Sequence, residues 1–197
     1  MLSTCIYFCA LASSVVIFSS CSSSSLSDSR YKEFKSRVDY RKTHDVYRNE
    51  SLLNKAKSAD TKVVIDLSDQ RAQLLVNDRV ALDTPCSTGK AGKRTPTGNF
   101  TIKQKIVTKR STIFGRLYRG SRRVYGGDRR KYRGRYTRFV GSALPYWMRL
   151  TNEGIGMHYS RGVRRHACSN GCIRLPMEPV KTIFAKTQVG TAVQILN

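Results

Sequence analysis

The stretch TKVVIDLSDQRAQLLVNDRVALDTP, residues 61–85, decides the fold class. TKVVIDLS is rich in β-branched residues, QRAQLLV follows after a short polar break, and Asn77-Asp78-Arg79 separates it from VALDTP. Apolar runs of this length, punctuated by turn residues, read as a strand and hairpin meander. Working downstream, GKAGKRTPTG (residues 89–98) is a loop dense in Gly and Pro, and NFTIKQKI, PYWMRLT and GIGMHY read as further strands. Pro176 is placed to open a helix at its first position. Behind it Val180, Ile183, Phe184 and Thr187 follow i, i+3, i+4, i+7 spacing, with Gly190 just beyond. TAVQIL closes the chain as a last strand. The predicted architecture is mainly β with one or two helices, a sandwich or barrel.

Upstream of this domain the composition changes. The chain has 197 residues and a formal net charge of +23, which calls for an anionic partner. Its N-terminus carries no charged residue before Asp28. The apolar run around residues 6–18 is shorter than the roughly 20 residues a membrane-spanning helix needs, and it matches the core of an export signal. Small residues just before Cys21 resemble a bacterial lipoprotein cleavage site. The expectation is therefore a signal peptide over 1–20, lipidation at Cys21, a polar linker over 21–60 with a short helix near 49–57, and a domain over 61–197. The expected location is the periplasm or cell envelope, with a membrane anchor on Cys21.

Export leaves Cys86, Cys168 and Cys172 in the mature domain. Three thiols in an oxidising compartment are no disulfide framework, and at least one stays free. The spacing of Cys168, Cys172, His158 and His166 is too loose for a zinc site, so no metal and no cofactor are expected. A thiolate nucleophile needs a nearby base. His158 ends the strand pattern GIGMH, while Cys172 follows Gly171, a residue that permits a tight turn and leaves space beside the sulfur. The pair suits acyl transfer, with backbone N–H groups of the turn facing an oxyanion.

One segment breaks the β pattern. Residues 103–138 hold fourteen Lys or Arg and one acid, Asp128, with glycines and tyrosines interleaved. Such composition also suits single-stranded nucleic acid. In an exported protein it reads instead as a solvated loop facing anionic wall polymer or a membrane surface, and no nucleic acid is expected.

Three ordered segments resemble the L,D-transpeptidase catalytic domain (YkuD) family. HYSRGVRRHACSNGCIRLP (residues 158–176) is similar to that family's stretch ending in SHGCIR or SHGCVR. CSTGKAGKRTPTGNFTI (residues 86–102) resembles its STG…TPTG segment, and LPYWMRLTNEGIGMH (residues 144–158) its strand pair leading to a histidine. The resemblance covers about 61–197, interrupted by the basic insertion 103–138. It implies a β-sandwich-like domain in which Cys172 attacks a diaminopimelate carbonyl of a peptidoglycan stem peptide, forms a thioester and releases D-Ala. An amine then resolves the thioester; with water as acceptor the enzyme would be a carboxypeptidase. By the same resemblance His158 is the base, Arg174 places a substrate carboxylate by paired donors, Ser169 and Gly171 shape the oxyanion turn, and the Tyr159 carbonyl orients the imidazole. Two positions depart from the pattern: Asn170 stands where many members have His, and Tyr159 replaces a small residue. A monomer is expected. The competing reading is a non-catalytic wall-binding lipoprotein that keeps the fold and grips anionic polymer through its basic segment.

Overall fold

The computed structural model describes residues 22–197, with side chains from residue 29 onward. The expected signal peptide and Cys21 lie outside the described residues. In chain order the elements are α1 (Ser22–Ser36), β1 (Tyr47–Arg48), α2 (Glu50–Lys55), β2 (Thr61–Asp66), β3 (Arg71–Val76), β4 (Arg79–Pro85), β5 (Gly98–Thr101), β6 (Gln104–Arg119), β7 (Arg122–Asp128), β8 (Arg138–Arg149), β9 (Gly156–Tyr159), β10 (Ile173–Leu175), α3 (Met177–Lys186) and β11 (Ala192–Leu196). The mainly β class read from the sequence is what the chain adopts, with three α-helices among the described residues.

Among the described residues eleven strands form two sheets. A six-stranded sheet runs β1-β4-β3-β2-β11-β5, and a five-stranded sheet runs β10-β9-β8-β6-β7. In β2, Thr61, Val63 and Ile65 alternate inward, as a half-buried strand requires. Asn77 and Asp78 both adopt positive φ, +47° and +62°. That is the backbone a two-residue hairpin turn with right-handed strand twist demands, and it joins β3 to β4. β11 pairs parallel to β2, Val193 beside Val63 and Ile195 beside Ile65. α3 carries the chain from β10 in one sheet to β11 in the other, burying Pro179, Val180 and Ile183. The shared core between the sheets holds Leu74, Leu82, Ile102, Met148, Met157, Ile173 and Leu175.

Two stretches differ from their sequence reading. The basic segment, expected as a loop, is mostly a hairpin: the 16-residue β6 turns at Gly120 into β7 and also lies against β8. Apolar side chains at alternate sites let it pair: Leu117 is fully buried, while the intervening arginines face water. Gly115 and Gly141 face each other across β6 and β8. A Cβ on Gly115 would stand 2.3 Å from the Val140 carbonyl oxygen and 2.8 Å from the Gly141 Cα, so the close strand approach admits no side chain there.

The stretch expected as a spacer carries α1 and β1 as well as α2, which falls within the short helix expected near 49–57 and is capped by Asn49, whose side chain accepts from the Leu52 N–H at 3.1 Å. β1 joins the edge of the six-stranded sheet beside β4, while α1 and the turn after it bring Tyr31, Phe34 and Tyr40 over the outer face of that sheet. Arg71 and Asp83 sit on that face with no exposed side-chain surface, Nε to Oδ1 2.6 Å apart. The second Asp83 oxygen accepts from the Tyr31 and Tyr40 hydroxyls at 2.9 and 2.7 Å and from Gln73 Nε2 at 3.2 Å. The Arg71 guanidinium stacks 5.2 Å from the Phe34 ring centroid and 4.9 Å from that of Tyr40. A buried ion pair is tolerated when its remaining lone pairs are met, as those of Asp83 are.

Candidate active site

The site is built on the five-stranded sheet. β9 and β10 run parallel with Ile173 beside Met157 and Arg174 beside His158. Side chains alternate between faces. Met148, Met157, Ile173 and Leu175 therefore point into the core, while Trp147, Arg149, His158, Arg174 and, just before β10, Cys172 share the opposite face. That face floors a cleft of about 1150 Å³ lined by both Cys172 and His158. One wall comes from the β6–β7 hairpin, residues 111–115 with Gly127 and Arg130. The other comes from the loop after β9, residues 159–164.

The turn before Cys172 is held from within. Ser169 Oγ accepts from the Gly171 N–H at 3.0 Å and donates to the Cys172 carbonyl at 2.6 Å. The Gly171 amide is thereby committed inside the turn. Gly171 has φ +117°, a conformation open to glycine at little cost. Asn170 is exposed at the tip. From outside, Thr95 Oγ1 donates to the Gly171 carbonyl at 2.8 Å and accepts from the Gly89 N–H at 2.9 Å. Ser87 and Arg174 exchange backbone hydrogen bonds of 3.0 and 2.9 Å, and the Cys168 and Ser169 amides both donate to the Thr88 carbonyl. Two segments some eighty residues apart, STG at 87–89 and CSNGC at 168–172, are thus stitched together.

His158 is 7% exposed. Its Nδ1 lies 2.7 Å from the Tyr159 carbonyl oxygen. A carbonyl only accepts, so Nδ1 carries the proton and Nε2 keeps its lone pair. Burial pushes the imidazolium down to about pH 4, opposed by the Tyr159 carbonyl and aided by Arg174. The Cys172 thiol is pushed above its usual range, chiefly by burial, against the Gly156 amide and Arg174, which favour the thiolate. The thiol leans on the Gly154 carbonyl, 3.8 Å away. At neutral pH both groups are uncharged. The face holds a thiol and a neutral base rather than a preformed ion pair.

Arg174 also approaches the second cysteine, Nη1 to Cys168 Sγ 3.6 Å. Cys86, Cys168 and Cys172 are all free, and the buried Cys86 thiol is pushed to about 12 by desolvation. His166 is exposed and does not line the cleft.

The residues singled out in the sequence, Cys172, His158, Arg174, Ser169, Asn170 and Tyr159, all line this cleft, with Gly171 in its turn. Sequence reading passed over Trp147 and Arg149. Their spacing in PYWMRLT, two apart like His158 and Gly156 on the next strand, carried the signal. It also passed over Arg165, which donates to the backbone carbonyls of Asp69 and Gln70 at 3.0 and 2.5 Å and to those of Tyr40 and Arg41 at 3.3 and 2.5 Å. That side chain ties the site loop to the N-terminal segment.

Comparison with known proteins gives a consistent picture. The family model for the L,D-transpeptidase catalytic domain (YkuD) matches residues 60–195. Among solved structures, an L,D-transpeptidase from Mycobacterium smegmatis aligns with TM-score 0.55 at 19% identity, over 70% of this chain and 59% of that one. The L,D-transpeptidase LdtMt1 in complex with imipenem aligns with TM-score 0.55 at 20% identity, over 70% and 59%. An Enterococcus faecium L,D-transpeptidase mutant aligns with TM-score 0.51 at 25% identity, over 70% and 50%. The matched part thus spans three fifths or less of those structures. No match is found among curated proteins.

Proposed function

The chain belongs to the L,D-transpeptidase catalytic domain (YkuD) family, and on that premise we propose that it is a cysteine-dependent peptidoglycan L,D-transpeptidase. The observation that carries this reading is one sheet face presenting Cys172, His158 and Arg174 to a peptide-sized cleft. In the proposed reaction His158 Nε2 takes the Cys172 proton as Sγ attacks the carbonyl carbon of a stem-peptide diaminopimelate. The tetrahedral oxyanion collapses, the bond to D-Ala breaks, and the imidazolium returns the proton to the leaving amine. A side-chain amine of a second stem then attacks the thioester, gives up its proton to Nε2, and the thiol is restored. Tyr159 contributes its carbonyl, which holds the imidazole in the tautomer this requires. Arg174 supplies a fixed cation for a substrate carboxylate.

Export through residues 1–20, a lipid on Cys21 and action in the cell envelope as a monomer complete the proposal. The exposed arginines of the β6–β7 hairpin would hold the enzyme against anionic wall polymer or the membrane surface. Muropeptide analysis after incubating the purified protein with sacculi tests the reading. New stem-to-stem cross-links with released D-Ala, absent with Cys172→Ser, are expected. Trimmed stems without cross-links would assign water as acceptor. Unchanged muropeptides with folded, reduced protein would remove the transferase, leaving a wall-binding protein.

A further inference from the structure

The walls of the cleft carry a charge pattern that the chemistry of thioester formation does not need. Lys93, Lys109, Arg130, Arg149, Arg161, Arg164 and Arg174 line it, against a single acid, Glu153. Among the described residues only Arg130 of this set is paired with a carboxylate, Asp128, 2.7 Å away. Two further donors belong to the floor. Trp147 Nε1 and Arg149 Nε are buried with no hydrogen-bond acceptor in the protein. Trp147 lies beside His158, ring centroids 6.2 Å apart. Buried donors are ordinarily satisfied, and like charges gathered in one concavity repel unless an anion joins them. The cations stand on four separate pieces of chain, at 93, 109–130, 149 and 161–174, so they converge through folding and not through one basic run.

We propose that this cleft recognises stem peptides by their free carboxylates and discriminates against the same peptides carrying carboxamides. The inference rests on the transpeptidase reading and names the charge state of its substrate. Arg161 and Arg164 on the loop wall, Lys93 at the rim and Arg149 on the floor are the selecting cations; Arg174 serves the carboxylate nearest the reacting bond. A carboxamide keeps the size of the carboxylate but loses its charge and adds donors that meet other donors. Such mispairing is how a polar site rejects a near-isostere. The discrimination is electrostatic, so it shrinks as salt rises.

The test is equilibrium binding of synthetic stem tetrapeptides, carboxylate and carboxamide forms, to the Cys172→Ser protein. Turnover does not enter. At about 50 mM salt the carboxylate form should bind on the order of tenfold more tightly per charge retained, with most of that advantage gone at about 500 mM. Arg161→Gln/Arg164→Gln should bring the two forms within a fewfold of one another while circular dichroism stays unchanged. Equal affinities at low salt, or tighter binding of the carboxamide, would overturn the proposal. Sacculus conversion by the wild-type protein separates the two readings. Conversion without charge selectivity defeats this inference alone. Selective binding without conversion leaves the inference standing and defeats the transferase.

Discussion

The two sheets share a core but treat their outer faces oppositely. On the six-stranded sheet, Arg71 and Asp83 are covered by Tyr31, Phe34 and Tyr40, and both Asp83 oxygens have partners. On the five-stranded sheet, Trp147, Arg149, His158, Cys172 and Arg174 stand in an open cleft, and two of their N–H groups lack partners. The covered face also keeps one unpaired donor, Arg71 Nη1, so cover, not full satisfaction, separates the two faces. Polar side chains on a sheet face are structural when the fold closes over them; left uncovered, they are available to a ligand. Arg165 links the two faces, holding the N-terminal cover and the site loop to the same turn.

If that contrast is right, the two faces respond differently to substitution. The largest effect is expected from Cys172→Ser. Turnover should fall about a thousandfold or more, while the unfolding midpoint stays unchanged. A matching loss of stability would mean that the thiol is structural. Asp83→Ala should do the reverse. Breaking a buried ion pair costs about 3–5 kcal/mol, visible in urea unfolding, while the folded fraction keeps its reactive thiol. Replacing both partners, Arg71→Met with Asp83→Leu, should cost less than Asp83→Ala, the remainder reflecting the Tyr31 and Tyr40 hydroxyls left without their acceptor. A double variant as unstable as the single would contradict the account of the covered face.

His158 gives the next effect, through pH. Its folded pKa, about 4, lies below the unfolded value near 6.5. The unfolded chain therefore binds a proton that the folded chain refuses between those values. The cost is absent above about pH 6.5, grows as pH falls, and levels off below about pH 4 at of order 3 kcal/mol. His158→Gln should remove this share of the acid slope, measured as the difference between the two proteins in urea titrations at about pH 7 and about pH 4.5. Equal slopes would place a charged imidazole in the fold.

The covered face and the open face were not equally legible in the sequence. β2 to β4, α3 and β11 follow from local period and turn chemistry, since Val63, Ile65, Val180 and Ile183 each sit where alternation or helical spacing puts them. Cys172, His158 and Arg174 were legible through short ordered segments, and their parallel register on β9 and β10 is a fact of pairing that one strand alone does not encode. Arg71 was hidden because a charged residue opening a strand looks like a surface residue until a remote helix covers it. The hairpin was hidden because its arginines mask the alternation of Leu117 with its neighbours, and because β6 pairs with β8 between residues distant in sequence, from Tyr118 with Arg138 to Gln104 with Arg149. Neutralising Arg122 and Arg123 should produce the smallest effect on stability, within about 0.5 kcal/mol, because both are exposed. Sacculus retention at low salt should fall in the same variant; unchanged retention would free the hairpin of that role.

The central claim is that the open face carries a thiol with a neutral base beside it, poised for acylation. Incubation with imipenem, followed by intact mass and peptide mapping at a series of pH values, tests it most directly. The account predicts one adduct, on Cys172, absent in Cys172→Ser. It also predicts a rate that climbs from about pH 7 towards pH 9 as the raised thiol ionises. Folded, reduced protein that stays unmodified, or that is modified on Cys168 with Cys172 untouched, would contradict it.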